Sequence, residues 1–272
     1  MVERCRELGA PLMAGSSIPG QWRSPFLEHA PGTDLEEAVL IGFSGLDIYG
    51  AHACDTLQAM VERRGPLAAE TGVAAVQCLE GEAVWEAGRA GRFSMRLARA
   101  AANAAVEGVD DDGRETDGGR VDMEEFHYDD VLPATAFIVE YMDGFRATVL
   151  MLNGYVADHC YAACTKSEPD TIHSCEFFSQ RAPSYGGTGE QAKGPIAHFS
   201  YLGRNVEEMF VTGKASWPAE RTLLSTVSIA TTYMLEFTNC SALVANFRGV
   251  VTMYRVFSRR RCSRGRRVAN VW

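Results

Sequence analysis

The strongest constraint on how this chain can fold is a hairpin. Thr135–Tyr141 and Phe145–Leu152 are two β-rich runs on either side of Asp143-Gly144. An Asp-Gly pair between such runs favours a tight type I′ turn and an antiparallel strand pair. Further strands gather around it. Ala38–Phe43 (AVLIGF) reads as a buried strand, Val73–Leu79 as a second and Asp158–Cys164 as a third. Ser174–Arg181 reads as a fourth, with alternation at Cys175, Phe177 and Ser179. Pro11–Ala14 is expected to form a short strand after a helix over residues 2–8.

Helical patterns precede and follow these strands. Glu80–Ala90, Ser94–Val106, Ala197–Thr212 and Ala219–Leu235 carry helical spacing, the last two joined through Gly213-Lys214 and Trp217-Pro218. The expected class is α+β, an open, largely antiparallel β-sheet flanked by helices.

One helix carries the chemistry. In Gly45–Arg64 the apolar residues Leu46, Tyr49, Ala53, Leu57 and Met60 fall three and four apart, and Gly65-Pro66 stops the helix. His52 and Asp55 lie off that stripe. At three residues' separation they are about 60° apart, close enough for the carboxylate to orient the imidazole. A solvated His beside a solvated Asp is the plainer reading of the same spacing.

Other motifs weigh less. Gly187-Thr-Gly189-Glu-Gln-Ala192 matches G-x-G-x-x-A, but Lys193-Gly194-Pro195 breaks the helix that would present its N-terminus to phosphate. His159, Cys160, Cys164, His173 and Cys175 suggest zinc at first. On a strand, Cys160 and Cys164 stand about 13 Å apart, too far for one tetrahedral site, so core thiols fit better and no metal is expected. Glu107–Asp130 holds eleven acidic residues, two Arg and four Gly. Such a stretch reads as a mobile loop.

Charge narrows the partners. Net charge is −9, yet residues 255–272 hold seven Arg and no acid, leaving 19 basic against 35 acidic residues elsewhere. An acidic body does not suit a general nucleic-acid binder. An RNA-associated role resting on Arg259–Arg267 alone is the weakest reading. No apolar run reaches the roughly 18–20 residues of a membrane span. The eight Cys are scattered without a CxxC pair, and MVERCRELGA is charged where an export signal would be apolar. Both favour a cytoplasmic protein with reduced thiols.

Gly50-Ala51-His52-Ala53-Cys54-Asp55 resembles the G-x-H-x-x-D segment of the glucose–fructose oxidoreductase / inositol dehydrogenase family. There it opens a helix just after a strand, as Ala38–Phe43 running into Gly45 does here. Arg204–Leu224 is similar to the family's closing helices, with its G-K-x-x-x-P link. Met13–Pro25, Val76–Gly88 and Asp143–Gly154 stand in the family's order, so the resemblance runs from Leu12 to Leu224.

The resemblance implies several things. His52 would act as general acid/base on a sugar or polyol hydroxyl, with Asp55 orienting it or touching substrate. NAD or NADP would be the cofactor, but bound by a Rossmann domain and not by this chain alone. Residues 1–25 would be the remnant of that domain's end. Residues 26–235 would be the C-terminal substrate and oligomerisation domain, forming a homo-oligomer through its sheet. Residues 236–272 would be a divergent, Arg-rich tail, with disorder one of the open readings. One departure counts against catalysis. The family carries Asp four residues before the His, and Ile48 stands there, while Asp47 is rotated by about 140° on a regular helix. A non-catalytic small-ligand-binding or assembly module is therefore the alternative.

Overall fold

The computed structural model describes residues 2–65, 72–105, 108–109, 115–116, 133–153, 155–156, 158–178, 197–219, 221–222, 225–226, 242–247, 254–259 and 266–270. Helix α1 spans Val2–Leu8 and closes at Gly9, whose φ of 63° lets Ala10 N–H reach back to the Cys5 carbonyl. Residues 10–17 then run without regular structure into a 3-10 turn, Ile18–Gly20. The strand expected at Pro11–Ala14 is absent. The segment lies against the site helix, and its polar groups bond to side chains there, as described below.

The strands are β1 (Arg23–Ser24), β2 (Leu35–Gly42), β3 (Val73–Glu80), β4 (Gly108–Val109), β5 (Glu115–Thr116), β6 (Thr135–Tyr141), β7 (Arg146–Met151), β8 (His159–Thr165) and β9 (His173–Phe177). The two-residue strands β4 and β5 pair with each other in the acidic stretch, most of which lies outside the described residues. The other seven strands form an open sheet in the order β1-β9-β8-β2-β7-β6-β3. The β2–β7 pair is parallel and every other pair is antiparallel. Backbone strands β10 (Ala242–Phe247), β11 (Tyr254–Arg259) and β12 (Arg266–Asn270) continue it beyond β3.

Helix α2 (Ala51–Val61) covers one face, and α3 (Glu82–Arg89) and α4 (Met95–Asn103) cover the other. Ser94 caps α4 by accepting the Leu97 N–H at 3.1 Å. Strand β2 lies at the centre, and Ala38, Val39, Leu40 and Ile41 are fully buried. Its alternate residues feed both apolar layers: Leu40 joins Leu57 and Tyr161 under α2, and Ile41 joins Leu97 and Ile138 under α4. That is why this strand reads as a continuous apolar run. Cys160 and Cys164 belong to the α4 layer and Cys175 to the α2 layer.

The hairpin forms where expected, but its turn differs. Gly144 has φ of 81°, whereas Asp143 does not have positive φ. A type I′ turn needs positive φ at both central residues. Instead Gly144 N–H bonds the Tyr141 carbonyl at 3.0 Å, and Tyr141 N–H bonds that of Phe145 at 2.9 Å. This is a three-residue loop, a turn closed by a left-handed glycine. Asp143 keeps its ordinary backbone because its carboxylate is occupied: Oδ1 accepts the Phe145 N–H and Oδ1 and Oδ2 accept Arg64.

Arg64 joins the hairpin to α2. It is 3% exposed. Its Nε and Nη2 donate to Asp143 at 3.0 and 3.1 Å, and its Nη1 donates to the Val61 carbonyl at 2.8 Å. The guanidinium also stacks over Tyr141 and Phe145, 4.0 and 4.3 Å from their ring centroids. Arg64→Ala removes the fork to Asp143, the bond to the Val61 carbonyl and the stacking on two rings, and is expected to cost about 1–3 kcal/mol in urea unfolding. Arg64→Lys, which cannot form the fork or stack as a plane, is expected to recover only part of that.

Candidate functional site

Strand β2 delivers the chain to the site through a sharp turn. Ser44 takes a φ of 61°, and the next residues, Leu46–Gly50, form a π-helical turn before α2 begins at Ala51. The helix expected to run unbroken from Gly45 is therefore irregular in its first turn. The side chains of Asp47 and Ile48 lie outside the described residues.

Asp55 is 2% exposed, not on a solvated face. The apolar stripe lies where expected: Ala53, Leu57 and Met60 are buried, and Leu46 and Tyr49 pack against them. The opposite side of α2 is covered as well, by residues 14–18 and by Trp217, Arg221 and Ser225. Trp217 Nε1–H bonds the Ala14 carbonyl at 2.9 Å, and Arg221 Nε donates to Glu62 at 2.9 Å.

Ser16 connects His52 and Asp55. Its backbone N–H donates to Asp55 Oδ2 at 2.7 Å, and its hydroxyl shares a proton with His52 Nδ1 at 2.7 Å. The Ile18 N–H donates to the same hydroxyl at 3.0 Å. The other Asp55 oxygen, Oδ1, accepts the Ser225 hydroxyl at 2.8 Å. The carboxylate thus holds the loop that holds the imidazole. Burial pushes the Asp55 carboxyl above its usual range, and the bonds from Ser16 and Ser225 pull it part of the way back.

A second imidazole sits beside the first. His159 opens β8, is 1% exposed, and packs against Phe43 at 5.4 Å between ring centroids. Neither of its ring nitrogens has a hydrogen-bond partner among the described residues. Burial, with His52 nearby, lowers its pKa to about 3. His29, bonded to the Tyr161 hydroxyl at 3.0 Å, is likewise lowered to about 4, chiefly by burial.

Sequence reasoning singled out His52 and Asp55 but not Ser16, Ser225 and Gly15, which the structure brings to them. Gly15 sits in the cleft between Asp55 and Thr222. A Cβ there would stand 2.3 Å from both Asp55 Oδ2 and Thr222 Oγ1, and its φ of 106° is one that only glycine takes readily. The small-residue run Gly15-Ser16-Ser17 was the available signal, though nothing local says which helix it meets. The Gly187–Ala192 loop, weighed for phosphate, lies outside the described residues.

The described residues do not fit a dinucleotide. Two turns among them lead from a strand into a helix: Ser44-Gly45 and Gly81-Glu82. The first opens into the π-helical turn. The second puts Glu82 in the first turn of α3, where a phosphate would need unopposed N–H groups. No described helix is long and apolar enough to cross a membrane. Among the described residues no group of three His, Cys, Asp or Glu could hold a metal ion.

No protein-family profile matches the chain, and no curated protein matches it in sequence. Among solved structures it is similar to a myo-inositol dehydrogenase from Corynebacterium glutamicum, with a TM-score of 0.41 and 9% identity. It is similar also to a myo-inositol 2-dehydrogenase from Lactobacillus plantarum, with a TM-score of 0.41 and 6% identity. Each likeness covers 79% of this chain and 57% of the other, so this chain spans little more than half the length of the structures it matches.

Two outcomes test the site as described. Gly15→Ala is expected to force the Ser16 loop off Asp55 and to lower stability by about 2 kcal/mol or more in chemical unfolding. His29 and His159 bind protons less tightly folded than unfolded. Their contribution to stability is complete above the ordinary histidine pKa near 6.5 and is lost as pH falls toward about 4 and about 3. His159→Phe is therefore expected to leave the melting temperature at pH 7 unchanged or higher, and to raise it clearly at pH 5.

Proposed function

We propose that this chain is the substrate-side domain of an NAD(P)-dependent sugar or polyol oxidoreductase, with His52 exchanging a proton with the reacting hydroxyl. The observation that carries this reading is the Ser16 clamp, which fixes the imidazole through Nδ1 at 2.7 Å. With Nδ1 engaged, proton exchange with a substrate runs through Nε2. An imidazole both accepts and gives a proton, and a fixed orientation lets it serve as acid and base in turn. Asp55, with both oxygens engaged, is a positioning residue that acts through Ser16. The Gly50-x-His52-x-x-Asp55 pattern after a buried strand supports the same reading.

The nicotinamide cofactor would accept or give the hydride. We assign it to a separate nucleotide-binding domain, because the described strand-to-helix turns do not suit its phosphates. The other reading, a non-catalytic small-ligand-binding or assembly module, rests on Ile48 standing where the resembled family has an acid.

Titration calorimetry separates these readings. NADH is expected to give no saturable heat with the chain alone, and micromolar binding would overturn the separate-domain assignment. A polyol such as sorbitol is expected to bind saturably to the wild type and at least about tenfold more weakly to His52→Ala. Equal binding by a folded His52→Ala variant removes His52 from the site and leaves the second reading.

A further inference from the structure

We propose that the cavity between the 3-10 turn, the C-terminal end of α2 and Trp217 binds a small hydroxylated monocarboxylate against Arg23. The cavity has a volume of about 260 Å³. That lies below the roughly 300–1,000 Å³ of clefts that take drug-sized ligands, so its occupant is small.

Among the described residues of the wall the charges do not balance. Three arginines line the cavity, Arg23, Arg63 and Arg221, against two carboxylates, Glu28 and Glu62. Arg63 is paired with Glu28, and Arg221 with Glu62. Among the described residues Arg23 bonds only to carbonyls: Nη1 to Leu27 at 2.7 Å and Nη2 to Pro19 at 2.8 Å, with the guanidinium over the Phe177 ring. Its Nε has no partner among them. His29, also in the wall, adds no charge at neutral pH, because burial holds it neutral.

Arg23 is desolvated, and the carboxylate whose charge reaches it, Glu28, is already bonded to Arg63. An anion beside such a cation relieves the cost of its burial. Among the described lining residues the excess is one positive charge. A carboxylate matches it, whereas a phosphate dianion would bring a surplus toward Glu28 and Glu62. Those two carboxylates and Asn205 accept hydrogen bonds from hydroxyl groups, and the Trp217 indole supplies a flat apolar wall. The cavity is lined by Ala59, Met60, Glu62 and Arg63, two to three turns along α2 from His52. This proposal is therefore independent of the role assigned to His52.

The test is calorimetry of sodium lactate against the full chain at fixed ionic strength, with inorganic phosphate as the comparison. Saturable lactate binding is expected, weakened about tenfold or more in Arg23→Gln. Arg23→Gln also loses bonds to two carbonyls, so Glu28→Gln is the second variant. It removes one half-exposed negative charge from the wall and should tighten lactate about two- to threefold, a gain that misfolding cannot produce. The proposal is overturned if wild type shows no saturable lactate binding, if folded Arg23→Gln binds as wild type does, or if Glu28→Gln binds no tighter. Phosphate binding more tightly than lactate overturns the monocarboxylate assignment.

Discussion

A single buried guanidinium holds the two halves of this architecture together. Arg64 ends the site helix, and Asp143 turns the central hairpin. The guanidinium also stacks on two aromatic rings of the hairpin, Tyr141 and Phe145. Each part needs the other. Without Asp143 the cation would be buried unpaired, and without Arg64 the carboxylate at the turn would lose two donors. Tyr141 adds a third link by donating its hydroxyl to Gln58 of α2 at 2.9 Å. The orientation of α2 over the sheet, and so the direction in which His52 and Asp55 project, follows from this junction.

Given that orientation, the site is assembled from segments far apart in the chain. Residues 15–18 come from near the N-terminus, His52 and Asp55 from α2, and Ser225 from the C-terminal third. The cost of burying the Asp55 carboxylate is offset by three groups, the Ser16 amide, the Ser225 hydroxyl and the Arg221 charge. Such a carboxylate organises its surroundings, because each neighbour must take up a fixed position to satisfy it. The half-buried His52 gains its orientation from the loop organised in this way.

The fold was legible where one physical signal dominated. Strand β2, the hairpin position and helix α5 (Ala197–Thr212) follow from apolar runs and periodicity alone. The turn type did not, because Asp143 is committed to Arg64 and that tertiary bond outweighs the local preference of Asp-Gly. Pro11–Ala14 misled for a related reason. Its apolar residues suggest a strand, but the segment that follows spends its hydrogen bonds on α2 side chains. His52 and Asp55 were singled out by spacing. Their link through Ser16 was not, since a serine 36 residues away leaves no periodic trace.

The parallel pairing of β2 with β7 bears on how the chain reaches this structure. Glu37 pairs with Arg146 and Leu35 with Thr165, so more than a hundred residues separate the central strand from both of its neighbours. Closing loops of that length is entropically slow, and topologies rich in such pairings fold slowly. During synthesis β2 emerges before β7 and β8, apolar on both faces, and must wait for them before either edge is paired. The central strand of the finished sheet is thus open to misassociation while the chain is being made.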